Sequence, residues 1–314
     1  PSTEEYFPDY SATSGFFPTR SRIFGLLWEQ TVLPYVTGNS DIDVLLSPNT
    51  NAPVAHGGFK NVTYIHDVNS QRGYVNEKYR LFRKATVPQI ASASDAIITV
   101  SEFSKEEISR CYGIDPSKIH VVYNGVSNTF LSDVPGDPVE LPDEYILYVG
   151  ANNKRKNIRG VLESFKVLKR KYDSPHKLVF VGPSEKPSYE SIDIRDEEII
   201  KTGYLTEQEL KFVYENASVF VFPSFYEGFG IPPVEAMACG TPVVASNRGS
   251  LPEILGECAL YANPYDVEEI ARLINNVIHD GDLRSSLKNK GRTRAEKYRW
   301  DSAAEELMSI IDSL

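Results

Sequence analysis

The chain has 314 residues, of which 43 are acidic and 33 basic, for a formal net charge of −10, with 41% hydrophobic and 24% charged residues. These proportions match a soluble globular protein and exclude a disordered chain, a collagen and a coiled coil, and the length favours two domains. No apolar run approaches the roughly 18–20 residues of a membrane span, no secretory segment opens the chain, and Cys111, Cys239 and Cys258 are too few and too scattered for a disulfide framework or a zinc site, so a reduced, cytoplasmic protein is expected.

In chain order, Ile23, Phe24, Leu27, Trp28, Thr31, Val32 and Tyr35 recur at helical spacing and read as a core face. Short β-branched runs then alternate with amphipathic patterns, the sign of βα units around a parallel sheet. The strands of the first half are expected at 43–46, 62–65, 96–100 and 119–123. A helix over 77–93, kinked before Pro88, precedes the third of these. Ser104 and Glu107 read as the capping box of a further helix that ends at Gly113. Residues 134–142 (VPGDPVELP) have three prolines, a glycine and no periodicity, and read as an interdomain linker. The chain thus divides into an N-terminal domain (1–133), the linker (134–142) and a C-terminal domain (143–314).

After the linker the alternation restarts, with strands at 145–149, 177–181, 199–201, 219–222 and 243–245. Helices are expected at 158–171, after a Thr206/Glu209 capping box, near 233–239, and at 266–279, 282–298 and 300–314, the last crossing back to the first domain. Residues 1–142 hold 11 basic and 16 acidic groups and the remainder 22 and 27, so each half nets −5. That balance argues against a nucleic-acid partner, whose domain would be basic. Open α/β sheets take ligands beyond the carboxyl ends of their strands, so the loops that follow the strands are the places to seek chemistry.

The most specific stretch is 224–246, SFYEGFGIPPVEAMACGTPVVAS. Glu227 follows a strand, Gly228 and Gly230 let backbone amides approach a ligand, and Pro232 and Pro233 can open a helix. Glu235 comes eight positions after Glu227. Two carboxylates beside a helix N-terminus suit a polyhydroxylated, phosphorylated ligand. The run 154–171 holds eight Lys and Arg. Lys154, Arg155 and Lys156 fall in a loop after a strand, where they can meet phosphate, and Lys166 to Lys171 read as a solvated helix face. Asp41-Ile42-Asp43 has a D-x-D pattern, but it stands before a strand rather than beyond its end and reads as structural, so no metal site is expected.

The stretch resembles the E-x7-E signature of the retaining family 4 glycosyltransferases. Further matches in the family's order are WEQTVLP (28–34), DVLLSP (43–48), TYIHDV (63–68), ITVSEFSK (98–105), IHVVYNGV (119–126), YVGANNKRKN (148–157) and GSLPE (249–253). The resemblance is strongest to mannosyl- and rhamnosyl-type transferases of surface polysaccharides. It implies a GT-B fold, two Rossmann-like domains facing across a cleft, and transfer of a hexose, with mannose favoured, from a GDP-, UDP- or dTDP-sugar to a glycan or lipid-diphosphate-linked acceptor without a metal. It implies that Glu227 holds donor-sugar hydroxyls with the amides around Phe229 and Gly230, that Glu235 accepts from the ribose, and that Lys156 holds the diphosphate. It also places the nucleobase at Gly203, Tyr204 and Leu205, and His66 near the sugar and acceptor.

Two departures from the family stand out. Ala151 occupies a position where many members carry a phosphate-binding arginine, so either Lys154 or Arg155 substitutes or the contact is absent. Residues 1–22 do not resemble the strand and glycine-rich loop with which members usually begin, so the first domain is expected to lack that unit. A peripheral contact with the inner membrane face along the basic residues 284–299 stays open. The rival reading is a catalytically impaired sugar-nucleotide or glycan-binding subunit that acts through a partner chain.

Overall fold

The computed structural model describes residues 22–54, 58–151, 153–182 and 197–314. The expectation for residues 1–22 therefore lies outside the described residues, Arg22 excepted. The first described element is helix α1 (Arg22–Gly38), followed by β1 (Val44–Ser47), β2 (Lys60–Tyr64), α2 (Glu77–Ala93), β3 (Ala96–Thr99), α3 (Glu102–Tyr112) and β4 (Ile119–Val121). The four strands form a parallel sheet in the order β1-β2-β3-β4. Alternate residues of these strands face opposite layers. Ile97 and Ile119 pack with Val87, Ala91 and Ile108, whereas Val62, Ala96 and Ile98 form the other face.

A short helix, α4 (Asn128–Leu131), leads towards the second sheet, which begins at β5 (Tyr145–Val149). It continues through α5 (Ile158–Tyr172), β6 (Lys177–Val181), β7 (Ile199–Gly203), α6 (Glu207–Glu215), β8 (Val219–Phe222), α7 (Ile231–Ala238), β9 (Val243–Ser246), α8 (Leu251–Leu255) and β10 (Ala259–Ala262). The strand order is β10-β9-β8-β5-β6-β7, all parallel. Both faces of this sheet are covered, which is why its strands read as nearly continuous apolar runs. In β8, Phe220 and Phe222 enter one core while Val219 and Val221 enter the other.

The chain ends with α9 (Val267–His279), α10 (Gly281–Ala295) and α11 (Trp300–Asp312). Ala303, Leu307, Ile310 and Ile311 of α11 pack against Val62, Ala96, Ile98 and Val122 of the first sheet, so the last helix belongs physically to the first domain. Residues 134–142 are held against α6: the Gly136 amide donates to Glu215 at 3.1 Å, and Val139 and Leu141 pack on the second domain's core. Buried Lys211 of α6 donates to the carbonyls of Thr129 and Ser132 at 2.9 and 2.6 Å.

Two expectations need correction. Leu27, Thr31 and Tyr35 of the α1 stripe are exposed, and Thr37 and Pro34 are the buried residues of its last turns. Periodicity identifies residues that share a helix face; it does not tell which face is covered. The N-cap of α3 is Ser101, whose hydroxyl accepts from the Ser104 amide at 3.0 Å. Ser104 is instead buried within the helix, and Glu107 is buried in ion pairs with Arg72 and Arg110. Strand β10, α4 and α8 were not anticipated, because four- or five-residue segments carry too little periodicity to stand out. The capping box expected at Thr206 and Glu209 has both of its hydrogen bonds.

Candidate active site

The carboxyl ends of the two sheets face each other. The loop after β8 crosses from the second domain onto loops of the first. Tyr226 inserts its ring among Ile65, Val68, Ile97 and Ile108, with its hydroxyl accepting from the Val68 amide at 3.3 Å. The Gly228 carbonyl accepts from the Ser101 and Ser104 hydroxyls at 2.6 and 3.2 Å. A Cβ on Gly228 would lie 2.8 Å from Asp67 Cβ and 3.0 Å from the His66 carbonyl, so only glycine permits this approach of the domains. Gly230 adopts φ +97° as the N-cap of α7, where a Cβ would also meet Leu251 at 2.6 Å. Pro232 and Pro233 follow Ile231, so two of the amides left unpaired at a helix start are absent and that of Ile231 remains available.

Glu227 sits at the centre of this junction, 6% exposed. Its two oxygens meet the Arg155 guanidinium at 2.5 Å and the Lys156 ammonium at 2.8 Å, and the Ser224 hydroxyl donates at 2.7 Å. Burial alone would raise the carboxyl's pKa, but Lys156 and then Arg155 outweigh it and hold Glu227 below the usual carboxylate range. Burial lowers the Lys156 pKa, with Glu227 opposing. Both cations arrive on a 3-10 turn over Lys154–Lys156, whose start is closed by the Asn153 side chain accepting from the Lys156 amide. Asn157 then takes φ +53° and caps α5 through the Gly160 amide. The turn sends Arg155 and Lys156 inwards and leaves Lys154 exposed. Of Lys154 and Arg155, it is Arg155 that the structure places against Glu227.

The remaining anticipated residues are dispersed around this centre. Glu235, on the next helix α7, accepts from the Tyr214 hydroxyl at 3.0 Å. Its carboxyl is pushed up to about 7, mainly by burial, with Tyr214 opposing and Glu207 adding to it. Phe229 contributes only its backbone, since its ring is buried against Tyr298 and Tyr123. Tyr204 is 82% exposed and Leu205 packs on the second domain's core, both just beyond β7 at an edge of the sheet. His66 is exposed in the loop after β2, its Nε2 2.9 Å from the Pro48 carbonyl and its ring stacked on Tyr64.

Several residues of the junction were not singled out from the sequence. Asp67 lies in the field of Arg155, Glu227 and His66, and burial raises its carboxyl pKa. Glu253, quoted only within GSLPE, accepts from the Glu102 and Phe103 amides at 2.8 and 2.9 Å and from the Tyr123 hydroxyl at 3.1 Å, so the second domain caps a first-domain helix. Ser224 and Ser101 were equally silent, because a serine in a loop has no distinctive spacing. The D-x-D aspartates Asp41 and Asp43 are exposed ahead of β1, at the end of the sheet away from the junction. Among the described residues, no group of three or more acidic, histidine or cysteine side chains is placed to hold a metal ion.

Chemically, the junction offers two half-buried cations that a diphosphate can neutralise, a carboxylate that can accept from sugar hydroxyls once they are engaged, and a backbone amide at a helix start beside them. Comparison with known proteins agrees with that chemistry. Residues 137–294 match the family described as "Glycosyl transferases group 1", and residues 3–130 match "Glycosyltransferase Family 4". The O-antigen chain mannosyltransferase B of Escherichia coli is 30% identical over 268 residues, which cover 81% of this chain and 70% of that protein. The serotype-specific mannosyltransferase WbdA of Escherichia coli is 29% identical over 293 residues, 87% of this chain but 35% of the relative, so this chain spans about a third of its length. A solved sucrose-phosphate synthase from Thermosynechococcus elongatus superposes with a TM-score of 0.75 at 21% identity, over 95% of this chain and 80% of that one, which establishes a shared fold. Two parallel α/β domains meeting at their carboxyl ends, with that likeness, make the fold GT-B. The chain belongs to the group 1 and family 4 glycosyltransferases.

Proposed function

We propose that the protein transfers a hexose, with mannose favoured, from a nucleotide diphosphate sugar to a glycan or lipid-diphosphate-linked acceptor, retaining the anomeric configuration and working without a metal. The observation that carries this reading is the convergence of Arg155 and Lys156 on buried Glu227 beside the start of α7. In the free protein Glu227 neutralises both cations. A bound diphosphate takes over that role, and the carboxylate turns to the donor sugar's hydroxyls. As the glycosidic bond breaks, negative charge grows on the departing diphosphate. The positive pair then stabilises the transition state more than the ground state, and it supplies the charge that a metal ion would otherwise provide.

Retention follows if the acceptor hydroxyl attacks the face that the diphosphate leaves, with a diphosphate oxygen taking the proton. The protein's work is then positioning and electrostatics, which needs no nucleophilic triad. Mannose is favoured because the relatives at about 30% identity are named O-antigen and serotype-specific mannosyltransferases, and their names also support polysaccharide synthesis as the setting. We place the protein at the cytoplasmic face of the membrane that would carry a lipid-linked acceptor, with exposed Lys290, Arg292 and Lys297 available to anionic headgroups.

A donor-hydrolysis screen across GDP-, UDP-, dTDP- and ADP-sugars, with and without EDTA, tests the reading. Turnover of one donor class is expected. Nucleotide binding without turnover of any donor, whatever acceptor is added, would favour a binding subunit.

A further inference from the structure

We propose that Tyr265, stacked on Phe225, forms an aromatic platform on which a pyranose ring of the acceptor glycan stacks. The proposal rests on the glycosyltransferase reading and names the surface that takes its second substrate. Tyr265 follows β10 and is 70% exposed, yet its ring is not loose. It lies on Phe225 with ring centres 4.7 Å apart and planes inclined by 26°. A stacked tyrosine with its outer face in water presents a flat apolar surface whose conformational entropy is already restricted, a low-cost contact for a ligand. A pyranose fits such a surface because one face of its ring shows C–H groups while its hydroxyls point to the rim and stay hydrated.

The platform is tied to the reacting centre by the same backbone that carries it. The Phe225 amide donates to the Arg155 carbonyl at 2.9 Å, and Phe225 stands two residues before Glu227. The Asn157 side chain donates to the carbonyls of both Pro223 and Pro264, at 3.0 and 2.8 Å. One buried amide therefore holds the loop of Tyr265 against the loop of the active centre.

Strand order says which substrate belongs there. The exposed loop that matches the nucleobase site follows β7 at one edge of the second sheet, Glu227 follows β8 in the middle, and Tyr265 follows β10 at the other edge. A donor laid from the β7 edge with its sugar at Glu227 fills one side of the centre. The space on the β10 side is left for the group that attacks the sugar, and Tyr265 stacked on Phe225 gives it an apolar surface that suits the C–H face of a sugar ring.

The test measures binding of three trisaccharides, α-mannotriose, maltotriose and cellotriose, by saturation-transfer NMR and titration calorimetry. The protein is saturated with whichever of GDP, UDP, dTDP or ADP it binds, and wild type is compared with Tyr265→Ala and Tyr265→Trp. At least one trisaccharide is expected to bind the wild type. Tyr265→Ala should weaken it by about tenfold or more, and Tyr265→Trp should keep it within about threefold. Nucleotide affinity should stay within about twofold in both variants, since the ring is exposed and touches no nucleotide-binding group. Unchanged trisaccharide affinity in Tyr265→Ala overturns the platform, as does a parallel loss of nucleotide affinity or a nucleotide-bound wild type that takes none of the three sugars. A wild type that binds no nucleotide at all overturns the glycosyltransferase reading, and the platform with it.

Discussion

Replacing Glu227 by glutamine keeps the shape of the side chain and removes its charge. The carboxylate is 6% exposed and is shared between Arg155 and Lys156, whose side chains are 17% and 13% exposed. Losing one partner of a buried ion pair typically costs about 3–5 kcal/mol, because the remaining charge is left uncompensated. For a cooperative unit of 150–250 residues, each kcal/mol moves Tm by about 2–4 °C, so a fall of roughly 6–20 °C is expected. The nucleotide diphosphate that binds the protein supplies the missing negative charge, so it should raise the Tm of Glu227→Gln by more than it raises that of wild type. Thermal unfolding of both proteins, with and without saturating nucleotide diphosphate, provides the measurement. A variant that melts with the wild type, or that gains no more than wild type from the ligand, would refute the view that Glu227 holds the diphosphate's place in the free enzyme.

Lys156→Ala should lower kcat by about 10²–10³, the usual effect of removing one group that stabilises transition-state charge, with a smaller change in donor KM because Arg155 remains; steady-state kinetics will show a rise in KM alone if the lysine is only an anchor. Glu235, with a carboxyl at about 7 against an ordinary value of 4.5, contributes stability that is fully present below pH 4.5 and lost as pH rises through 7. Ribose hydroxyls favour its charged form, so nucleotide-sugar affinity should rise with pH through 7, and calorimetry on Glu235→Ala should show that slope removed and a loss of about 1.5–3 kcal/mol above it. Excess EDTA should leave turnover intact; full loss restored by Mn²⁺ would return Asp41 and Asp43 to consideration.

How far the sequence could be read depended on how local the physics was. Residues 177–181 and 219–222 form the strands expected, to the residue, because a short apolar run between turns has few other uses in a chain of βα units. The Thr206 capping box was equally legible, since its hydrogen bonds lie within four residues. The similar S-x-x-E at Ser104 misled because a distant group decides the matter: the Gly228 carbonyl takes the Ser104 hydroxyl, and Arg72 and Arg110 take Glu107. Within the candidate site, the pattern around Glu227 and Lys156 pointed to two loops that the structure brings together. It could not tell Lys154 from Arg155, because the difference is the phase of a single 3-10 turn. Tyr226, Asp67 and Glu253 act on the opposite domain, and no spacing along one segment encodes a partner more than 100 residues away.

Those cross-domain contacts also bear on how the junction opens and closes. The first turn of α3 offers amides that α3 itself cannot pair, and Glu253 takes two of them, those of Glu102 and Phe103. A carboxylate there is also favoured by the helix dipole, by about 0.3–1 kcal/mol at an exposed end and up to about 2 where partly buried. With the domains apart, water satisfies the same amides, so each bond adds only about 0.5–1.5 kcal/mol to closure. Tyr226 is different, because its ring leaves the first domain's core on opening and loses burial worth about 1.5–3 kcal/mol. The junction thus depends on one apolar anchor, Tyr226, and on weaker polar clasps at Gly228 and at Glu253. A ligand that repositioned Glu227 would act on the segment that holds the domains together, because Tyr226 and Gly228 on either side of it make those contacts.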